Sequence, residues 1–201
     1  MVKYLFSAFV GYLIGSLNPA ALLSKIKKTD LKEVGTKNLG ATNVTLTLGK
    51  GLGAAVMAFD IAKAFAAYRF FEFVFPTHAY IGMVSGVFAV VGHIFPFYLG
   101  FKGGKGLASF GGLVLAYSPS LFLIMLLTAT ALIVIVNYSV AMPMYAGIIF
   151  PIAVAVREQS VLAFVLALAV SVLLIVKFLP NLTKARNGDD IKIRDYLKKH
   201  I

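Results

Sequence analysis

The chain has 201 residues, of which 60% are hydrophobic and only 13% are charged, and its formal net charge is +11 at pH 7. An ordinary soluble domain carries about 25% charged residues, so this composition argues against one. The chain contains no cysteine, which excludes disulfide bonds and thiolate catalysis. No nucleic-acid-binding module accompanies the positive charge, and we attribute that charge to loops that face anionic lipid headgroups.

The apolar residues form runs that are long enough to cross a bilayer. A helix of about 18 residues is ~27 Å long, which is close to the thickness of the hydrocarbon core. The predicted spans, in chain order, cover residues 4–23, 52–75, 79–99, 140–156 and 160–179. The first run has no basic leader and no small-residue cleavage site, so we expect a true span and not a signal peptide.

The tract 107–136 is ambiguous, because Ser118-Pro119-Ser120 interrupts it. The tract is either one broken span or two short spans. Basic residues decide between these possibilities, since they favour the cytoplasmic side of a membrane. The three basic groups are Lys25, Lys27, Lys28, Lys32, Lys37 and Lys50, then Lys102 and Lys105, then Lys184, Arg186, Lys192, Arg194, Lys198 and Lys199. All three basic groups lie on the cytoplasmic side of the membrane only if the tract 107–136 crosses the membrane twice. We therefore predict an all-α membrane protein with seven transmembrane helices in a single domain over residues 1–201, with the N-terminus outside and the C-terminus cytoplasmic.

Three polar segments fall on the predicted cytoplasmic face. They are GTKNLGATN at residues 35–43, GFKGGKG at residues 100–106, and the segment NLTKARNGDDIKI that starts at Asn181. Glycines allow close backbone approach, consecutive N–H groups bind anions, and the lysines, threonines and asparagines add charge and hydrogen bonds. Each loop alone is better explained by helix caps and topology-determining lysines. Together, the segments predict a phosphate site.

Among the ionisable residues within the predicted spans, three bear on a possible site. His93 is near the inner end of the third span, and an ionisable group in a span is a functional candidate as well as a structural one. Asp60 and Lys63 are three residues apart on one helix face, which predicts a mutual ion pair. The alternative is that Asp60 orients a lysine of the site.

GTKNLGATN and GHIFPFYLGFKGGKGLAS resemble the signature segments of bacterial acyl-phosphate-dependent glycerol-3-phosphate acyltransferases, the PlsY family. The resemblance extends over nearly the whole chain. It implies transfer of an acyl group from acyl phosphate to the 1-hydroxyl of glycerol 3-phosphate, which gives lysophosphatidate and inorganic phosphate. It also implies a monomer in the bacterial cytoplasmic membrane, with membrane lipids around it, that needs no cofactor. No His, Asp or Glu cluster has metal-ligand spacing and no nucleic-acid-binding module is present, so we predict neither a metal nor a nucleic-acid partner. The other large acyltransferase class uses a His-x4-Asp pair, and Tyr98 stands where His93 would need that aspartate.

Carried over by position, the resemblance implies catalytic roles for His93, Lys105, Thr36 and Asn181. It implies phosphate or substrate binding by Asn38, Gly40, Thr42, Asn43, Lys102, Gly103, Gly104 and Gly106, and the chemistry of the first loop adds Gly35 and Lys37. Several positions depart from the family pattern. Lys37 replaces a glycine, Lys32 and Leu46 replace arginines, and Phe178 and Leu179 replace the histidine and arginine of the HREN-type motif.

The expected reaction is a direct attack of the substrate hydroxyl on the acyl carbonyl, with loop N–H groups and lysines stabilising the developing charge. The base is either His93 or a phosphate of the substrate, with His93 as an orienting group in the second case. Two other functions stay open. The chain could acylate another phosphorylated polyol, or it could bind an anionic metabolite or lipid without catalysis.

Overall fold

The computed structural model describes residues 1–189, 192 and 194. All regular secondary structure in this part of the chain is helical. The chain forms two compact units, Met1–Tyr117 and Ser118–Ile201. The predicted tail lysines Lys198 and Lys199, and residues 190, 191 and 193 of the third polar segment, lie outside the described residues.

Helices in the first unit carry both predicted signature loops. They are α1 (Val2–Ser16), α2 (Pro19–Ile26), α3 (Ala41–Leu48), α4 (Lys50–Val74), α5 (Ile81–Ile94), a 3₁₀ turn (Phe97–Leu99) and α6 (Leu107–Tyr117). The second unit consists of α7 (Pro119–Val136), α8 (Ala141–Glu158) and α9 (Val161–Asn187). In the described residues, six helical stretches are long and apolar enough to cross a membrane, and α6 is a shorter apolar helix.

The ambiguous tract 107–136 forms two helices that are separated at Ser118. Pro119 occupies the first turn of α7, and the Ser118 hydroxyl accepts a hydrogen bond from the Leu121 N–H at 3.3 Å. Proline at the first helical position and serine at the N-cap are the usual signals of a helix start. The predicted division of the tract is therefore confirmed.

The first predicted span, residues 4–23, is not one continuous helix. It is interrupted at Leu17 and Asn18, because Pro19 lacks an N–H and disfavours helical geometry in the residue before it. The Ala21 N–H, which would bond the Leu17 carbonyl in an unbroken helix, instead donates to the Asn18 side chain at 2.9 Å. The break leaves the Leu17 carbonyl available to another helix.

Close packing of α1 against α5 depends on small residues. A methyl group added at Gly11 would overlap the Ser85 carbonyl, and one at Gly15 would overlap the Ala89 carbonyl. A methyl group at Gly92 would overlap the Tyr12 carbonyl. Small residues at these contacts let the two backbones approach closely, as in many membrane helix pairs. Helix α5 is therefore held along α1, with its last turn beside the break in the first span.

Polar contacts identify the two ends of the first unit. At one end, the Tyr4 hydroxyl donates to the Ala79 carbonyl at 2.9 Å. At the other end, the Tyr98 hydroxyl donates to the Ser16 carbonyl at 2.8 Å, and the Asn18 N–H donates to the Tyr98 oxygen at 3.2 Å. The segments that lead into both signature loops thus lie at the same end of this unit.

In the second unit, α8 packs against α7 and α9. The Arg157 guanidinium donates to the Ser118 hydroxyl at 3.1 Å, which ties the C-terminal end of α8 to the start of α7. The Arg194 N–H donates to the Asn137 side chain at 2.9 Å, so this tail residue lies beside the C-terminal end of α7.

Candidate active site

The first polar loop is organised by Asn43 in the first turn of α3. The Asn43 side-chain oxygen accepts from the Thr36 N–H at 2.7 Å, and its amide group donates to the carbonyls of Leu31 at 2.8 Å and Val34 at 3.1 Å. The residue is fully buried, with 0% of its surface exposed. Both amide hydrogens are thus engaged inside the loop. The Asn43 amide therefore shapes the loop, and direct binding of phosphate by Asn43 stays a prediction.

Gly35 is required by the same arrangement. Its φ of +61° lies in the left-handed region, and a methyl group there would overlap the Asn43 side-chain oxygen. The outer surface of the loop presents Thr36, Lys37 and Thr42, whose side chains are exposed. Asn38 is half-buried and Gly40 is buried. The loop therefore offers two hydroxyls and one cation to a ligand.

The second polar loop folds back onto the end of α5. The Gly103 N–H donates to the Ile94 carbonyl and the Gly104 N–H donates to the His93 carbonyl, each at 3.1 Å. A methyl group at Gly103 would overlap the His93 carbonyl, and one at Gly104 would overlap Nε2 of His93. Glycine is needed at both positions for close approach.

The chain itself accepts the hydrogen bonds of these two N–H groups, and anion binding by Gly103 and Gly104 stays a prediction. In the same loop, Gly106 adopts a φ of +93° and is buried. Lys102 is exposed and Lys105 is half-buried. The loop's positive charge therefore comes from its lysines.

The two polar loops meet. The Leu39 carbonyl of the first loop would lie 3.0 Å from a methyl group added at Gly104 of the second. The Lys32 ammonium donates to the Leu99 carbonyl at 3.4 Å, and the Asn18 side chain donates to the Leu39 carbonyl at 3.3 Å. Convergence of the first two segments is therefore a feature of the first unit. Asn181 lies in α9 of the second unit, and its participation stays a prediction.

An open cavity of about 430 Å³ lies beside this meeting point, and none of the predicted site residues lines it. Its lining residues are Ala21, Ser24, Lys25, Lys28, Thr29, Asp30, Lys32, Leu39 and Leu99. Three lysines make the lining cationic, whereas the sequence alone suggested only a topological role for them. Helical spacing does not explain their shared surface, because Lys25 lies in the last turn of α2 while Lys28, with a φ of +51°, and Lys32 lie in the turns that follow.

A buried polar cluster lies behind the second loop. It consists of Asp60 and Lys63 on α4 and His93 on α5, which are 1%, 5% and 2% exposed. The Lys63 ammonium lies 2.7 Å from the Asp60 carboxylate and 2.9 Å from Nδ1 of His93. Nδ1 of His93 is 3.2 Å from the same carboxylate. The structure contains the predicted pair of Asp60 and Lys63, and it adds His93, which the sequence did not connect to them.

Known proteins similar to this chain identify its family. The family model described as glycerol-3-phosphate acyltransferase matches residues 5–188. The chain belongs to the glycerol-3-phosphate acyltransferase family. Among curated members of this family, the glycerol-3-phosphate acyltransferase of Staphylococcus haemolyticus is 34% identical over 194 residues, which cover 92% of this chain and 95% of the relative. That of Listeria monocytogenes is 31% identical over 195 residues, which cover 96% of this chain and 98% of the relative.

Solved structures of a glycerol-3-phosphate acyltransferase share the fold. PlsY (YgiH), an integral membrane glycerol 3-phosphate acyltransferase in its glycerol 3-phosphate form, superposes with a TM-score of 0.87 at 31% identity, covering 94% of this chain and 95% of PlsY. Its lysophosphatidic acid form superposes with a TM-score of 0.84 at 30% identity, covering 94% of each chain. The predicted family, the all-α class and the multi-pass membrane character are thereby confirmed.

Proposed function

We propose that this protein transfers an acyl group from acyl phosphate to the 1-hydroxyl of sn-glycerol 3-phosphate, giving lysophosphatidate and inorganic phosphate. The observation that carries the proposal is the contact at Gly104 between two glycine- and lysine-bearing loops in a chain of this family. Support comes from the similar PlsY, which has been solved in a glycerol 3-phosphate form and a lysophosphatidic acid form. A phosphorylated acyl donor suits a site whose ligands are hydroxyls and ammonium groups.

In the proposed reaction, the substrate hydroxyl attacks the acyl carbonyl and the carbonyl–phosphate bond breaks. Lys105 and Lys102 stabilise the negative charge on the phosphate groups, and Thr36 orients a phosphate by hydrogen bonding. Most of the acceleration then comes from positioning and electrostatic stabilisation, and we expect no acyl-enzyme intermediate. Asn181 is proposed as a further polar contact.

The proposed base is a phosphate oxygen of the substrate. His93 is 2% exposed, its Nδ1 is in contact with Lys63, and its Nε2 lies against Gly104. A general base must reach the proton that it removes, either directly or through one water molecule. This geometry favours the alternative in which His93 orients the loop and the hydroxyl proton passes to phosphate.

The product of the reaction tests the proposed function. The purified protein in phospholipid vesicles is given acyl phosphate with and without glycerol 3-phosphate, and the lipid is identified by mass spectrometry. We expect lysophosphatidate and an equal amount of phosphate only when both substrates are present. Acyl transfer only to another phosphorylated polyol would show a different acceptor. Binding of glycerol 3-phosphate with no acyl transfer to any acceptor would show a non-catalytic relative.

We further propose that the chain crosses the bacterial cytoplasmic membrane seven times as one functional domain, with its N-terminus outside and both signature loops in the cytoplasm. Support comes from the contact of Tyr4 with Ala79 at the end opposite the loops, and from the contact of Arg194 with Asn137 in the second unit. The short helix α6 supplies the seventh crossing.

Because the chain has no cysteine, single cysteines can report the sidedness of this topology. In intact cells treated with a membrane-impermeant maleimide, we expect Thr77→Cys to be labelled at once. Glu33→Cys and Lys184→Cys should be labelled only after lysis. These three positions are exposed. Labelling of Glu33→Cys or Lys184→Cys in intact cells would contradict the proposed orientation.

A further inference from the structure

Stability does not explain why Asp60, Lys63 and His93 are buried together, because burying charged groups costs free energy. Charged groups within a membrane span are expensive, and replacing a buried ion pair with apolar side chains is often neutral or stabilising. Asp60 and Lys63 are nevertheless almost fully buried in α4, with their charges 2.7 Å apart. A pair in this setting is better explained by what it orients.

Lys63 makes three close contacts through its ammonium group, one ion pair and two hydrogen bonds. They are Asp60 at 2.7 Å, the Leu17 carbonyl at 2.7 Å and Nδ1 of His93 at 2.9 Å. An ammonium group can only donate, so Nδ1 of His93 accepts. A neutral imidazole that accepts at Nδ1 carries its proton on Nε2. Lys63 therefore selects the Nε2–H tautomer of His93.

His93 in turn supports the second polar loop at two points. Its carbonyl accepts from the Gly104 N–H at 3.1 Å, and its Nε2 occupies the space that a methyl group on Gly104 would need. The next residue in the loop is Lys105, so an imidazole that rotates or shifts moves the backbone that carries this lysine.

Lys63 is also connected to the first polar loop. Its third contact is the Leu17 carbonyl, which the helix break at Pro19 makes available. The adjacent Asn18 side chain donates to the Leu39 carbonyl, next to Gly104. The Lys63 ammonium thus contacts His93, which packs against the second loop, and the Leu17 carbonyl beside Asn18, which bonds to the first loop.

We propose that Asp60 and Lys63 are positioning residues of the acyltransferase: Lys63 holds His93 in its Nε2–H tautomer, and His93 holds the glycine loop that carries Lys105. Asp60 keeps the cluster neutral and fixes the ammonium. This role rests on the proposed function, but the tautomer of His93 does not, and the two can be tested separately.

The tautomer is measured by ¹⁵N NMR of the full-length protein labelled at histidine. The chain has only three histidines, and His78→Gln and His200→Gln assign the remaining signals. We expect Nδ1 of His93 to be unprotonated in the wild type. In Lys63→Met we expect Nδ1 to gain a proton, because Asp60 then becomes its partner at 3.2 Å. A wild-type Nδ1 that carries a proton, or one that is unchanged by Lys63→Met, would overturn the proposal.

Kinetics then test the positioning role. The double variant Asp60→Asn/Lys63→Met removes both charges and keeps the cluster neutral, so that the fold survives the change better than after removal of one charge. Because small displacements of catalytic groups cost on the order of 100-fold, we expect kcat/KM to fall by about that factor at an unchanged thermal unfolding temperature.

A matched control lies on the same helix. Arg69 and Glu72 form another i, i+3 ion pair on α4, with side chains that are 42% and 47% exposed. Arg69→Met/Glu72→Gln should keep wild-type kcat/KM. If the wild type transfers acyl groups and the buried double variant matches it, the positioning role is wrong while the proposed function stands. If no variant, including the wild type, transfers an acyl group, the proposed function fails, and the NMR result still decides the role of Lys63 in the cluster.

Discussion

Lys105→Ala is expected to lower kcat for glycerol 3-phosphate acylation by about 10²- to 10³-fold, the usual cost of removing one group that stabilises transition-state charge. Lys105 lies between Gly104, which is packed against His93, and Gly106, which has a left-handed φ of +93°. Its backbone is therefore constrained on both sides. The measurement is the rate of lysophosphatidate formation in reconstituted vesicles.

A lysine at the opposite end of the first unit serves as the control. Lys3 lies over the Phe75 ring at 5.2 Å, near the contact between Tyr4 and Ala79. Lys3→Ala removes the same charge and should retain the wild-type rate. If Lys105→Ala were to lose no more activity than Lys3→Ala, Lys105 would have no part in the reaction.

Gly104→Ala is expected to reduce kcat/KM by about 100-fold, because the methyl group has no space. It would overlap Nε2 of His93 and lie 3.0 Å from the Leu39 carbonyl, which is backbone and cannot rotate away. The loop must move off α5 or away from the first loop. Initial rates with varied glycerol 3-phosphate, together with the thermal unfolding temperature, measure the effect.

Gly51→Ala is the matched control for this substitution. Gly51 lies in the first turn of α4 with a φ outside the left-handed region, and a methyl group there has no neighbour within 4 Å. Alanine favours a helix over glycine by about 0.5–1 kcal/mol, so this variant should be active and at least as stable as the wild type. Equal activity of the two variants would show that the tight contact at Gly104 does not matter.

A capping residue followed directly by proline is a local sequence signal for the start of a helix. Ser118-Pro119 predicted the division between α6 and α7, and the structure shows both the cap and the break. Asn18-Pro19 carries the same signal, yet the apolar run around it favoured one continuous span. The capping hydrogen bond from the Ala21 N–H to Asn18 shows that the local signal prevailed over the hydrophobic run.

The sequence predicted that the two polar loops would meet, but not which groups their side chains and N–H groups would bond. Both polar loops were expected to converge, and they do so at Gly104 and Leu39. Composition could not show that the Asn43 amide donates to the carbonyls of Leu31 and Val34, or that the Gly104 N–H donates to the His93 carbonyl. An asparagine or a glycine in a loop has the same sequence signature whether its hydrogen bonds go to a ligand or to the chain.

By itself, the sequence determined the membrane class, the helix-forming runs, the polar loops and the family, because each depends on local composition or on contiguous motifs. Only the tertiary structure decided that Lys63, His93 and the Leu17 carbonyl form one contact. These groups are 30 and 46 residues apart along the chain, and the packing of α1, α4 and α5 brings them together. Small residues determine how closely two helices approach, and this distance determines which groups can hydrogen-bond across them. The spacing of residues along one helix does not predict that distance.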